Sequence, residues 1–137
     1  MPIRVLAIDD DIAMTELLTV LLQSHGFEIM TENSGSDGIE TIKKGNPDII
    51  LLDLMMPGMD GWETCKIIRS FSNIPIVVLS ALNNPGMVAS ALDAGADDYL
   101  IKPVPSSILV AHIKNLARRA TGALSANTAS YPLTQSN

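Results

Sequence analysis

Reactive side chains stand at the ends of short apolar runs in this chain. Asp9, Asp10 and Asp11 follow the run 4–8, Asp53 follows 48–52, Ser80 follows 76–79, and Lys102 follows 99–101. Carboxylates brought together repel, so they must bind a cation or shift their pKa values. An all-oxygen ligand set selects a hard cation, and Mg²⁺ with retained waters is the expected one. A cation and an ammonium beside a carboxylate suit phosphoryl transfer. They neutralise the phosphoryl oxygens and leave the carboxylate free to attack in line. An aspartate nucleophile would give an aspartyl-phosphate, and the Ser80 hydroxyl could donate to a phosphoryl oxygen.

Each residue also has a plainer reading. Asp11 is the best candidate for a helix N-cap. A lone Asp after an apolar run is ordinarily a turn residue, Lys102-Pro103 is ordinary loop punctuation, and serine is common at strand ends. Only the joint placement at successive strand ends favours chemistry.

The elements that would position these groups alternate along the chain. Strand-like runs fall at 4–8, 27–31, 48–52, 76–79 and 99–101. Between them, Met14, Leu17, Leu18, Leu21 and Leu22 recur with helical spacing until His25-Gly26. Further helices are expected over 34–44, 61–70, 85–94 and 106–119. Asp60 caps the third of the five, with Trp62, Cys65 and Ile68 facing inward. Ile108, Leu109, His112, Ile113 and Leu116 share one face of the last. The run 48–52, continuously apolar after Asp48, suits a strand buried on both sides. Strands alternating with helices predict a parallel sheet covered on both faces. In such sheets the site lies at the carboxyl ends of the strands, where these side chains fall.

The 137 residues fit one domain, and a mean hydropathy of +0.26 leaves material for a core. The net charge of −6 argues against a nucleic-acid footprint in this domain. The charge is uneven: residues 1–98 hold all 15 acids, and 99–137 hold four bases and no acid. One cysteine excludes an internal disulfide and a Cys-based zinc site. Cys65 reads as a buried small hydrophobe, and His25 and His112 as structural. No signal peptide or membrane-spanning run is expected, so the expected location is cytoplasmic. Residues 120–137 are uncharged and read as a tail or the start of a linker.

The stretches VLAIDDD (5–11), IILLDLMMPGMDGWE (49–63), IPIVVLSA (74–81) and GADDYLIKP (95–103) resemble the receiver domain of two-component response regulators. The resemblance covers about residues 2–119, giving a receiver domain over 1–119. It implies a flavodoxin-like, doubly wound α/β fold with five parallel strands in the order 2-1-3-4-5 and five helices. It implies that Asp53 accepts a phosphoryl group from a sensor histidine kinase or phosphotransfer protein. Asp10 would bind Mg²⁺ directly, Asp9 through water, and the Met55 backbone carbonyl would complete the protein ligands. Lys102 would pair with the phosphoryl oxygens, and its bond to Pro103 would be cis. Ser80 and Tyr99 match the switch pair: the hydroxyl moves onto the phosphate and the ring turns inward behind it. The surface expected to change is the fourth helix, fifth strand and fifth helix.

The resemblance is strongest to receivers that precede winged-helix DNA-binding domains, a class that commonly forms a phosphorylation-dependent homodimer. Ser90 and Ala91 depart from that class, which tends to carry a basic residue there for salt bridges across the dimer. Met55 and Leu82 would border the path of the hydrolytic water and slow dephosphorylation. Three rivals fit less well. An aspartate-nucleophile phosphatase would want an acid/base Asp where Met55 stands. A flavin or nucleotide domain would want a Gly- or Ser/Thr-rich loop in place of 9–11. A pseudo-receiver would lack the acceptor, the acidic pair or the lysine.

Overall fold

The computed structural model describes residues 2–129. Ten elements alternate: β1 (Arg4–Ile8), α1 (Ile12–Ser24), β2 (Glu28–Glu32), α2 (Gly35–Gly45), β3 (Ile49–Leu52), α3 (Gly61–Arg69), β4 (Ile76–Ser80), α4 (Pro85–Asp93), β5 (Asp98–Ile101) and α5 (Ser106–Ala129). The five strands are all parallel, in the order β2-β1-β3-β4-β5. This is the doubly wound, flavodoxin-like α/β arrangement expected from the sequence.

The two-residue period of a strand divides the core. Leu6, Ile8, Ile50, Leu52, Ile76 and Val78 face one layer, with Ile39 and Ile42 of α2, Cys65 and Ile68 of α3, and Ala91 of α4. Val5, Ala7, Ile49, Leu51, Val77 and Leu79 face the other, with Leu18 and Leu22 of α1 and Leu109, Val110 and Ile113 of α5. The central strands are therefore buried on both faces, which is why 48–52 carries no alternation.

Helix starts follow local chemistry. Asp11, Ser34, Asp60 and Asn84 each accept a backbone N–H from the first turn of α1, α2, α3 and α4. Gly38 of α2 meets β1 closely; a Cβ there would stand 2.4 Å from Ile8 Cδ1. At the edge of the sheet remote from the strand ends, Arg69 fastens four segments. Its guanidinium donates to the carbonyls of Gly95, Ser72 and Ile74 and to Asp97 Oδ2, at 2.6–3.2 Å. Asp97 Oδ2 also accepts the Ile76 N–H, which starts β4.

Three expectations need correction. Leu17 does not face the core; it is 60% exposed, because α1 meets the sheet along the narrower stripe of Thr15, Leu18 and Leu22. Ile108 likewise points outward, since Leu109, Val110 and Ile113 fill the contact of α5. The last helix does not stop at Arg119 but continues to Ala129. That stretch is rich in alanine, whose helix propensity does not depend on charge. Of the tail expected over 120–137, residues 130–137 lie outside the described residues.

Candidate functional site

Register brings the candidate residues together. Ile8 pairs with Leu52, so Asp9 and Asp53 leave the sheet side by side, and the Asp53 N–H donates to the Ile8 carbonyl at 3.0 Å. Ser80 pairs with Ile101, and the Lys102 N–H donates to the Ser80 carbonyl at 2.8 Å. The peptide bond between Lys102 and Pro103 is cis, as expected. The β3–α3 loop is held against Asp53 by Gly61, whose N–H donates to the Leu54 carbonyl at 2.9 Å. A Cβ on Gly61 would lie 2.3 Å from the Asp53 carbonyl oxygen and 2.5 Å from Leu54 Cα, so no other residue fits without moving backbone.

Asp9, Asp10 and Asp53 each place a carboxylate oxygen within 4.8 Å of the others. Their circumstances differ. Asp9 is buried, with Oδ1 accepting the Asp11 N–H at 3.0 Å and Oδ2 accepting Lys102 Nζ at 3.0 Å. Asp10 is exposed, and no described residue donates to its carboxylate. Asp53 is buried and stands 4.0 Å from Lys102 Nζ. Burial, and then the negative charge of Asp9, push the Asp53 pKa above its ordinary value; Lys102 and backbone hydrogen bonds from Met55 and Leu54 oppose them. This carboxylate would gain from a further positive charge. The donor set is all oxygen and strongly anionic, so it fits a hard divalent cation.

Ser80 and Tyr99 meet at the backbone of Leu82. Ser80 is fully buried, and its Oγ accepts the Leu82 N–H at 3.2 Å. The Tyr99 hydroxyl donates to the Leu82 carbonyl at 2.7 Å. Tyr99 is half-buried against the α2–α3–α4 core layer. Met55 is exposed, and Leu82 packs at the edge of that layer. An apolar groove of about 420 Å³ opens on the other side of Lys102, lined by Met14, Leu17, Leu21, Val104 and Leu109. His112 pairs with Asp98 and His25 with the Leu21 carbonyl, so neither histidine belongs to the site.

Two residues at the site escaped the sequence reading. Asn33, directly after β2, donates from Nδ2 to the Asp9 carbonyl at 2.8 Å and to Thr15 Oγ1 at 3.2 Å. Neither Asn33 nor Thr15 lies in a motif, and only strand order reveals that β2 ends beside the acidic turn.

The response regulator receiver domain model matches residues 5–114. The chain is 40% identical over 116 residues to the DNA-binding response regulator MtrA of Mycolicibacterium smegmatis, covering 85% of this chain and 51% of that protein. It is 41% identical over 114 residues to the transcriptional regulatory protein AfsQ1 of Streptomyces coelicolor, covering 83% and 51%. The chain thus spans about half the length of these relatives. The BeF3-activated N-terminal receiver domain of Klebsiella pneumoniae RstA superposes with a TM-score of 0.81 at 31% identity, covering 84% of this chain and 98% of that one. The Vibrio cholerae chemotaxis protein CheY4 superposes with a TM-score of 0.78 at 28% identity, covering 85% and 99%.

Proposed function

Because the chain belongs to the response regulator receiver domain family, we propose that Asp53 is a phosphoacceptor. It takes a phosphoryl group from a sensor histidine kinase or phosphotransfer protein in a Mg²⁺-dependent reaction in the cytoplasm. The convergence of three carboxylates and one lysine beyond the carboxyl ends of β1, β3 and β5 carries this reading.

The roles proposed for the individual residues are those of the family, and the placement of the side chains supports them. An Asp53 oxygen attacks phosphorus, forming a P–O bond as the donor's P–N bond breaks. Lys102 exchanges part of its contact with Asp9 for the phosphoryl oxygens. Asp10, Asp53 and the Met55 carbonyl would hold Mg²⁺ directly, which when bound neutralises phosphoryl charge. Asp9 would act through water, since both its carboxylate oxygens are already engaged. The apolar groove beside Lys102 gives a phosphodonor protein a surface to dock on within reach of Asp53. The chain promotes its own phosphorylation and dephosphorylation but has no turnover role.

The Ser80 hydroxyl, drawn onto the phosphoryl group, releases the Leu82 N–H. Tyr99 follows through the Leu82 carbonyl, and the change reaches α4, β5 and α5. Exposed Met87, Leu92, Ile101 and Ile108 on those elements give that face an apolar character suited to a phosphorylation-dependent homodimer. The likeness to MtrA and AfsQ1 supports a second reading, in which this receiver, over 1–119, belongs to a DNA-binding transcriptional regulator and 120–137 begins its linker.

The test is incubation with acetyl phosphate and Mg²⁺ followed by intact mass measurement. Wild type should gain about 80 Da, one phosphoryl group, and Asp53→Asn should gain nothing. An unmodified wild type, or an equally modified variant, would overturn the reading.

A further inference from the structure

The Asn33 amide nitrogen carries two hydrogens, and each has a partner. One goes to the Asp9 carbonyl at 2.8 Å and the other to Thr15 Oγ1 at 3.2 Å. Thr15 Oγ1 gives its own hydrogen to the Ile12 carbonyl at 3.0 Å, so it meets Asn33 as an acceptor. One amide therefore ties the end of β1 to the first turns of α1. The turn closed in this way carries Asp9 and Asp10. Asn33 itself is exposed, whereas Thr15 is 3% exposed, so the tie is anchored on the buried side.

We infer that Asn33 is a positioning residue for the acidic pair. Asp9 has further restraints: its N–H donates to the Glu32 carbonyl and its carboxylate is bound at both oxygens. Asp10 has none of these on its carboxylate, and its direction is set by the backbone of the turn. Holding the carbonyl that precedes the Asp10 N–H fixes the peptide plane from which Asp10 projects. Without that hold, ordering Asp10 becomes part of the cost of binding a cation. Groups that orient a ligand without touching the metal commonly change metal affinity by 10–100-fold. Asn33 acts through backbone, so the lower end applies. The inference rests on the reading of Asp9, Asp10 and Asp53 as a Mg²⁺ site.

Calorimetric titration of the metal-free full chain with MgCl₂ tests it. The variants are Asn33→Ala, Asn33→Leu and, as a structural control, Ser34→Ala, which removes the cap of α2. Both Asn33 variants should raise the Mg²⁺ Kd by about tenfold. Ser34→Ala should lower the metal-free Tm and leave Kd unchanged. The backbone order parameter of Asp10 by NMR should fall in Asn33→Ala and not in Ser34→Ala. A rise of less than about threefold in the Asn33 variants, or an equal rise in Ser34→Ala, would overturn the inference. A wild type that binds no Mg²⁺ would overturn the metal reading itself, and the inference with it.

Discussion

Lys102 is bonded to Asp9 at 3.0 Å and only approaches Asp53, at 4.0 Å. Lys102, the one cationic side chain in the cluster among the described residues, is thus engaged chiefly by the residue that needs no further partner. Of the two buried carboxylates, Asp53 is the one less well compensated by Lys102, consistent with its raised pKa.

A stability effect follows. A carboxyl group with a raised folded-state pKa contributes fully below its unfolded value, about 3.9, and that contribution is lost as pH rises through the folded value. Asp53→Asn should therefore be more stable than wild type at neutral pH without metal, read as a higher Tm. The difference should vanish as pH falls below the ordinary carboxylate range. Thermal melts of both proteins across pH in chelator measure it; a difference independent of pH would contradict it.

Phosphoryl lifetime should depend on Met55 and Leu82. Both are apolar, so neither orients an attacking water. Met55→Asn and Leu82→Glu should each speed loss of phosphate from the acetyl-phosphate-labelled protein, since a polar group there can orient the attacking water. Phosphate release at equal rates in all three proteins would exclude the effect.

Tyr99→Phe removes the donor to the Leu82 carbonyl. The expected cost is about 1 kcal/mol. Hydrogen exchange should accelerate at the Leu82 amide, which is bonded to Ser80 at the end of β4, and stay unchanged in β1 and β3. A uniform change across the sheet would point to global destabilisation instead.

Cys65 is buried, and burial pushes its thiol pKa up. The protonated, enclosed thiol should react with an aromatic disulfide reagent at pH about 8 far more slowly than in denaturant, since thiolate and access set the rate. Labelling as fast in the native protein as in denaturant would refute this.

The fold was legible where burial is symmetric. Runs such as 49–52, flanked by helices with Asp11 and Asp60 as caps, leave little choice but a parallel sheet. The strand ends then identify Asp9, Asp53, Ser80 and Lys102 together. Detail was lost where a local pattern has more than one outcome. Leu17 matches helical spacing as well as Leu18 does, and only the width of the α1 contact separates them. The uncharged stretch after Arg119 reads as a tail by charge and as helix by alanine content. Asn33 acts on a carbonyl 24 positions away, a relation that no local pattern encodes.

The Arg69 cluster gives the sheet a fixed end. It binds the Gly95 carbonyl just beyond α4 and the Asp97 carboxylate that also receives the first amide of β4. At the opposite end, α4 begins in the loop that Ser80 and Tyr99 grip through Leu82. A helix pinned at its tail and pulled at its head turns about the pin. On the proposed switch Arg69 would be the fulcrum, and a pull on the loop before α4 would tilt the helix rather than slide it.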